Sequence, residues 1–588
     1  MKQDNEQKLQ ANERQLQAIM SDHPRILTIA GAGTGKTMVL TARVARLLER
    51  GVSAARMLCV TFTRAAAAEM RERVAKATSV RYLPEIRTVH SWCARLLRAY
   101  PEAVNRTSTF TIYDQRDSDD LLRVCAQDLK AVDNPHTCRI STLRRREQVV
   151  QEYEARLAQA NALDFDQLEG LALGLLQDND QVRDDMQQRY QHILVDEYQD
   201  TNFAQAAIFQ HLTPISFFVV GDPRQSIYRF RGADVGIILE AAADADFQVV
   251  QLVDNYRSKP SIVDAANGIM AHPFEPMRAH REQVMPGPVP AYLVDDEPTA
   301  VAKAVEFLVD LHEGPQAVAV LARQWKALVP IRDLLQDAGI PVRYLGAEED
   351  PWETTEGRAL ARALLLYHNH SDINLARWLD AWGNGGNPRC GDFRDVRIEV
   401  ASSRRHVVDV LAEQDPTGTW SDFQGLRAHH MEGDDVIDIA GAMAAVFRGP
   451  PDGAVQEAID AIPEDVRTLA DWIEWWTDRS VQERKASDDE AEAVTLSTVH
   501  GAKGLEWPAV VLVGVNDGIY PTNRKTADDD DRAEDRRVFY VGVTRARDSL
   551  LLTVPTEQLM PWGKMKAVDP SPYLTDAGIR LGSWEGVV

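Results

Sequence analysis

The chain has 588 residues, 44% hydrophobic, 26% charged and 7% aromatic, a balance that builds sizeable cores in several domains and excludes a mostly disordered chain. With 89 acidic against 65 basic residues the net charge is −24, which excludes coating of nucleic acid by bulk charge; such binding would need local basic patches and stacking. Cys59, Cys93, Cys125, Cys138 and Cys390 are scattered without zinc or disulfide spacing, the opening MKQDNEQKLQ is too polar for a signal peptide, and no apolar run spans a bilayer, so the expected location is the reducing cytoplasm, with no membrane partner.

In chain order, Arg25–Ala30 (RILTIA) reads as a buried parallel strand, followed by a Gly-rich turn and a helix from Lys36. Met57–Thr63 is a second strand with a helix over Ala65–Thr78, and the short apolar signature returns at Ile193–Val195 and Ser216–Val220. This alternation predicts an α/β fold. Residues 93–189 break it, with Glu, Gln, Arg and Leu at helical spacings, and read as an inserted helical domain. A second α/β region begins near 260, with strands at Gln316–Ala322 and Pro341–Leu345, loses its pattern over about 376–489, and resumes at Ala493–Ser497 and Pro508–Val513. The predicted layout is two α/β cores, each interrupted: residues 1–92 with 190–260 around the insertion 93–189, and residues 261–375 with 490–588 around a second insertion 376–489.

Chemistry concentrates first at Ala30-Gly31-Ala32-Gly33-Thr34-Gly35-Lys36-Thr37. It fits the phosphate-binding loop, with Ala in place of the first Gly. Backbone N–H groups wrap the phosphates, Lys36 brings a point charge to the β/γ-phosphates of ATP, and the Thr37 hydroxyl can ligate Mg²⁺. An acidic pair ending another buried strand is the expected complement, and Asp196-Glu197 after Ile193-Leu194-Val195 supplies it. Asp196 would hold Mg²⁺ through water and Glu197 would polarise the attacking water. The long separation of Lys36 from Asp196 exceeds what a minimal core needs, which supports an insertion between them.

Asp196-Glu197-Tyr198-Gln199-Asp200-Thr201-Asn202 resembles the DExQDTN box of superfamily 1A DNA helicases of the UvrD/Rep/PcrA type. Further matches follow in the family's order: Asn12–Gln15 resembles the Q motif, Thr61–Met70 motif Ia, Thr88–Ser91 motif Ib, Gly221–Asp234 motif III, Asn255–Ser258 motif IV, Thr498–Glu506 motif V and Tyr540–Ala546 motif VI. The resemblance implies two RecA-like P-loop NTPase lobes, each with a mainly helical insertion, ATP between them, and 3′-to-5′ movement on single-stranded DNA coupled to duplex unwinding at single-strand/duplex junctions. Motif III, GDPRQSIYRFRGAD, also resembles the RecB/AddA branch.

The resemblance assigns roles. Arg257 and Arg545 match the two arginines that meet the γ-phosphate, Gln225 the γ-phosphate sensor, Gln15 the reader of the adenine edge, Tyr256 the ring that stacks on adenine, and Glu506 a carboxylate near the nucleotide. Phe62, Tyr228 and Phe230 are candidates for base contact, and Thr61, Thr63, His90, Arg231, Thr498 and His500 for polar contacts to the strand. Packing roles remain open for Tyr256, Phe62 and Phe230 on the residues alone. Arg64-Ala65 replaces the family's usual Asn-Lys, Phe230 stands where many relatives have Trp, and the 243 positions between Arg257 and His500 (500 − 257) are a shorter span than in typical relatives, which marks the second insertion, 376–489, as reduced.

Arg144-Arg145-Arg146 and Arg404-Arg405-His406 are local basic clusters, either solvated faces or phosphate contacts. Asp528–Asp531 reads as an exposed acidic loop, and Trp472, Trp475 and Trp476 as one packed helix face. Three further readings stay open: a translocase that strips proteins from DNA and unwinds poorly, the helicase subunit of a helicase-nuclease complex, and an inactive motor kept as a DNA-binding scaffold.

Overall fold

The computed structural model describes residues 11–78, 82–131, 145–212, 214–270, 274–282, 289–345, 351–369, 371–382, 393–403, 405–429, 434–448, 453–463, 466–479, 492–522, 529–559 and 565–584. Arg144, Arg404 and Asp528 lie outside them. The chain separates into two compact units, one of residues 1–87, 184–346 and 483–588, the other of residues 88–183 and 347–482.

The first unit holds two large sheets. Strands β1 (Arg25–Ala30), β2 (Met57–Thr61), β3 (Glu85–Thr88), β4 (His192–Val195), β5 (Ser216–Gly221) and β6 (Gln248–Leu252) form one, in the order β3-β2-β4-β5-β1-β6. The pairs β2–β4, β4–β5, β5–β1 and β1–β6 are parallel. Strands buried on both faces need continuous apolar runs rather than alternation. In β1, Ile26, Leu27, Ile29 and Ala30 are buried, as are Phe217–Val220 of β5. The order reverses beside β1, and in such open sheets ligands sit at the carboxyl ends of the strands around the reversal.

The second sheet is wholly parallel. It contains β7 (Ala291–Val294), β8 (Val318–Ala322), β9 (Val342–Leu345), β10 (Val494–Thr498), β11 (Trp507–Leu512), β12 (Ala546–Pro555) and β13 (Leu581–Ser583), in the order β9-β10-β8-β11-β12-β7-β13. The core on one of its faces takes in Ile227 and Tyr228 from the loop after β5, with Phe62 packed against it. The two sheets therefore share apolar packing beside the site.

The second unit is mainly helical. Its centre is the helix Thr355–His368, in which every residue from Gly357 to Tyr367 except Arg362 is buried. The expected boundary at 375 gave this helix to the second α/β core. The structure puts it in the helical unit, where a helix buried on nearly every side has neighbours all round, apolar ones and acidic partners for its arginines. Arg358 and Arg362 of this helix meet Asp114, Asp117 and Asp120 in a largely buried ion network. The Tyr113 hydroxyl donates to Asp372 at 2.7 Å, and the Asn369 amide donates to the Ala160 and Asn161 carbonyls. Residues more than 200 positions apart thus build one core. Trp472, Trp475 and Trp476 are buried around Trp352, and Trp472 stacks on Trp476 at 5.3 Å.

Asp529–Asp531 differ from the expected loop: they open the helix Asp529–Val543, where acidic side chains complement the unpaired N–H groups, and Asp531 pairs with Arg229 at 2.6 Å. Arg405 is held by Glu399 and Glu413. Among the described residues no helix is long and apolar enough to cross a membrane.

Candidate functional site: a phosphate loop, a carboxylate pair and two arginines

The ends of β4, β5 and β1, neighbours in the sheet, deliver three loops to one place. The loop after β1 runs through Gly33, at φ +70°, where a side chain would collide with the Arg257 Cβ. It is fixed from the motif IV side: Asn255 Nδ2 donates to the Ala32 carbonyl at 2.7 Å and the Tyr256 N–H to the Gly33 carbonyl at 2.9 Å. Gln15 is buried at the other end. Its Nε2 donates to the Thr34 carbonyl at 3.0 Å, while its Oε1 accepts from Asn12 N in a capping box. Lys36 and Thr37 open the next helix, with their side chains partly exposed.

Asp196 and Glu197 follow β4. Lys36 Nζ lies 3.5 Å from Glu197. Burial pushes Glu197 upward, but the charges of Lys36 and Lys503 and a 2.5 Å hydrogen bond from Gln199 outweigh it and hold the carboxylate ionised. Asp196 shifts the other way, raised by burial and then by the charge of Glu197. Glu197 has a left-handed backbone (φ 49°), a strained choice for a non-glycine residue that turns its side chain back to Lys36. The carboxylate oxygens of Asp196 and Glu197 and the hydroxyl of Thr37 are hard donors of the kind Mg²⁺ takes.

Asp222 follows β5 and organises the third loop. It accepts from Arg224 Nε at 2.8 Å and from Gln225 Nε2 at 2.7 Å, and its own N–H donates to Gln199 Oε1 at 2.8 Å. Gln225 Oε1 accepts from Arg545 Nη2 at 3.3 Å. Arg545 is buried, and its other N–H groups donate to the Val541 and Leu505 carbonyls. Burial, then the charge of Arg257, push its pKa down to about 9. Arg257 pairs with Glu506 and donates to the Thr544 carbonyl at 3.3 Å. The structure thus brings Lys36, Asp196, Glu197, Gln225, Arg257, Glu506 and Arg545 around one cleft, with Gln15 and Tyr256 at its edge.

The second set of candidates forms a row of rings. Phe62 stacks on Tyr228 (5.0 Å, 16°), Tyr228 meets Phe230 at 6.0 Å, and Phe230 meets His500 at 5.7 Å. Phe230 is 64% exposed whereas Tyr228 is buried, so Phe230 offers the open ring face. Arg231 lies over both Tyr228 and Phe230. Burial, then Arg323, Lys503 and Arg231, push His500 down to about 4, so it acts as a neutral ring. Thr498 is partly exposed at the end of β10.

Three members of this set have local structural work. Thr61 is buried and its hydroxyl donates to the Thr63 carbonyl, so it presents nothing to a strand. The Thr63 hydroxyl caps the helix Arg64–Ala77 by accepting from Ala66 N. His90 belongs to the helical unit, where it meets Glu169 at 3.0 Å and the edge of Phe165.

Sequence reasoning missed the residues that tie these parts together. Lys503 bonds Asp200 at 2.6 Å and sits 4.4 Å above the Tyr228 ring. Gln199 links Glu197, Asp200 and Asp222. Each lies inside a matched motif, which was the only available signal.

Comparison with known proteins supplies the family. The model of the UvrD/REP helicase N-terminal domain matches residues 11–144 and 140–246, and that of the UvrD-like helicase C-terminal domain matches residues 454–557. The ATP-dependent DNA helicase UvrD1 of Mycobacterium tuberculosis is 31% identical over 667 residues, spanning 97% of this chain and 86% of the relative. The ATP-dependent DNA helicase PcrA of Leuconostoc citreum is 29% identical over 643 residues (97% and 85%), and that of Staphylococcus aureus 28% over 640 residues (96% and 86%). Two family models on either side of the chain, relatives along nearly all of it and a phosphate loop facing paired arginines lead to one conclusion: the chain belongs to the UvrD-like helicase family.

Proposed function

We propose that the chain is an ATP-dependent DNA helicase that moves 3′-to-5′ on single-stranded DNA and unwinds duplex at single-strand/duplex junctions. The observation that carries this reading is the convergence of Lys36 and Glu197 at 3.5 Å with the Asp222–Gln225–Arg545 chain of hydrogen bonds. A terminal phosphoryl in that cleft meets a cation from the loop, a carboxylate for the attacking water and two guanidinium groups, that of Arg545 immediately before β12 of the second sheet and that of Arg257 in the segment after β6.

Lys36 and the backbone N–H groups of residues 31–35 hold the phosphates. Glu197, kept ionised, accepts a hydrogen bond from the water and orients it. Thr37 and Asp196 would hold Mg²⁺, which when bound neutralises charge on the β- and γ-phosphates. Arg257 and Arg545 are engaged by Glu506 and Gln225, and a γ-phosphate competes for both. Drawing them in moves the second sheet toward the first, which couples hydrolysis to motion. Gln15 and Tyr256 receive the adenine. Phe62, Tyr228 and Phe230 contact bases, with Thr63, His90, Arg231, Thr498 and His500 as polar contacts to the strand. The buried free thiols Cys59, Cys93 and Cys125 suit a reducing cytoplasm.

The test is ATP hydrolysis and strand displacement on 3′-tailed, 5′-tailed and blunt duplexes over a range of salt. DNA-stimulated hydrolysis with displacement confined to 3′ tails is expected. Equal displacement from 5′ tails would overturn the polarity, and normal hydrolysis by Lys36→Ala would overturn the site. Rapid single-strand movement with little displacement would favour the protein-stripping translocase, the reading that a reduced second insertion favours.

A further inference from the structure

The segment Met277–Arg281 lies outside every matched motif, yet it is fastened to both halves of the nucleotide cleft. Its residues Arg278 and Ala279 pair in parallel with Asp254 and Asn255. The Arg278 and His280 N–H groups donate to the Val253 and Asn255 carbonyls, each at 2.8 Å. Met277 is locked at its backbone by the Asn267 amide in both directions, and its sulfur packs where a side chain on Gly31 would have to go. Arg281 donates to the Arg257 carbonyl at 2.7 Å and to Asp548 at 2.7 Å.

This strap delivers His280 to the face of Tyr256. The two rings lie 4.6 Å apart at 52°. The Tyr256 hydroxyl accepts from Asn12 Nδ2 at 2.9 Å. Tyr256 is 38% exposed, and a half-exposed ring on a loop rotates unless held. Here it is held at two points, the hydroxyl by Asn12 and the ring by His280, and the His280 backbone is itself rigidly paired.

We propose that His280 is a positioning residue for nucleotide binding, holding Tyr256 in the orientation that stacks on the base. This rests on the reading of the cleft as an ATP site. A pre-set ring loses no orientational freedom on stacking, so its loss weakens binding without touching the phosphate chemistry.

The experiment is steady-state hydrolysis by the full chain with saturating single-stranded DNA. His280→Ala is expected to raise KM for ATP about three- to tenfold, the range supplied by one aromatic pair, with kcat within about twofold. His280→Phe, which restores a ring, is expected to bring KM back. Inhibition by tripolyphosphate, which has no base, isolates the effect: its inhibition constant is expected to be the same in wild type and His280→Ala. His280 is exposed, so neither variant threatens the fold. An unchanged KM in His280→Ala, failure of the Phe variant to restore it, or a parallel rise in the tripolyphosphate constant would each overturn the proposal. A wild-type chain that hydrolyses no ATP would instead sink the helicase reading beneath it.

Discussion

Gln225 accepts a hydrogen bond from Arg545 at 3.3 Å while its amide nitrogen donates to Asp222 at 2.7 Å. The residue that ends one sheet's loop is thus tied to an arginine that the other sheet carries. Since Gln199 joins Asp222 to Glu197, a continuous chain of hydrogen-bonded residues runs from the Glu197 carboxylate to the Arg545 guanidinium.

Gln225→Ala removes the middle of this chain without emptying the phosphate loop. DNA-stimulated kcat is expected to fall about 10- to 100-fold, with KM for ATP little changed, because the contact matters when the arginine engages the γ-phosphate. Unwinding per ATP, measured alongside hydrolysis, is expected to fall too. A variant that keeps wild-type kcat would show that Gln225 only packs.

Lys36→Ala and Glu197→Gln separate binding from chemistry. The first is expected to abolish turnover and weaken nucleotide binding. The second is expected to keep nucleotide affinity but lose about 10²- to 10⁴-fold in the hydrolysis step. Fluorescent-nucleotide titration with single-turnover hydrolysis distinguishes them. Wild-type turnover in Glu197→Gln would assign the water to another group.

What the sequence revealed follows the range of the interactions. The phosphate loop is contiguous, so Gly33, Lys36 and Thr37 announce themselves, and RILTIA is legible because a strand covered on both faces must be apolar. Asp117 and Arg362 form one buried network across 245 positions, and no local period encodes such a pairing. The same holds for Lys503, which reads as one more lysine until the fold brings it to Asp200. Thr61 misled for the opposite reason: motif membership said functional, while the end of a buried strand had already used its hydroxyl. His280 carried no signal because its role depends on a register between two very short strands.

Lys503 is 7% exposed and its partner Asp200 fully buried. Burial raises Asp200 to about 6, against the opposing charge of Lys503. Lys503→Met would strand that carboxylate, and breaking a buried pair from one side costs about 3–5 kcal/mol. Adding Asp200→Asn is expected to recover part of this loss, a coupling that urea melts of the single and double variants measure. Strict additivity would mean that the two side chains do not stabilise one another.

Phe230 presents an open ring beside the buried Tyr228. Phe230→Ala is expected to weaken single-strand affinity by about 1–3 kcal/mol, the worth of one base stack, and to leave the salt dependence unchanged. Arg231→Ala is expected to lower the salt slope by about one phosphate contact. Fluorescence anisotropy at several salt concentrations separates the two. A changed slope in Phe230→Ala would mean that the ring positions charge rather than stacking on a base.

Asp372 carries the pH dependence expected of the helical unit. Burial pushes its pKa up to about 7, against donors that include the Leu375 N–H and the Tyr113 hydroxyl, whereas a free Asp titrates near ~3.9. The folded chain therefore holds a proton that the unfolded chain has released between about pH 4 and pH 7. Fewer protons bound in the unfolded state means that stability falls as pH rises through that window. Asp372→Asn keeps the Oδ1 acceptor and removes the titration. Its stability relative to wild type is expected to be greater at pH 8 than at pH 5, as read from thermal or urea unfolding at both values. The second carboxylate oxygen accepts no hydrogen bond, so the new amide donors enter a buried site that was not built for them and the substitution carries a fixed cost. That cost lowers both comparisons equally and leaves the pH-dependent difference intact. A stability difference that is the same at pH 5 and pH 8 would place the proton elsewhere.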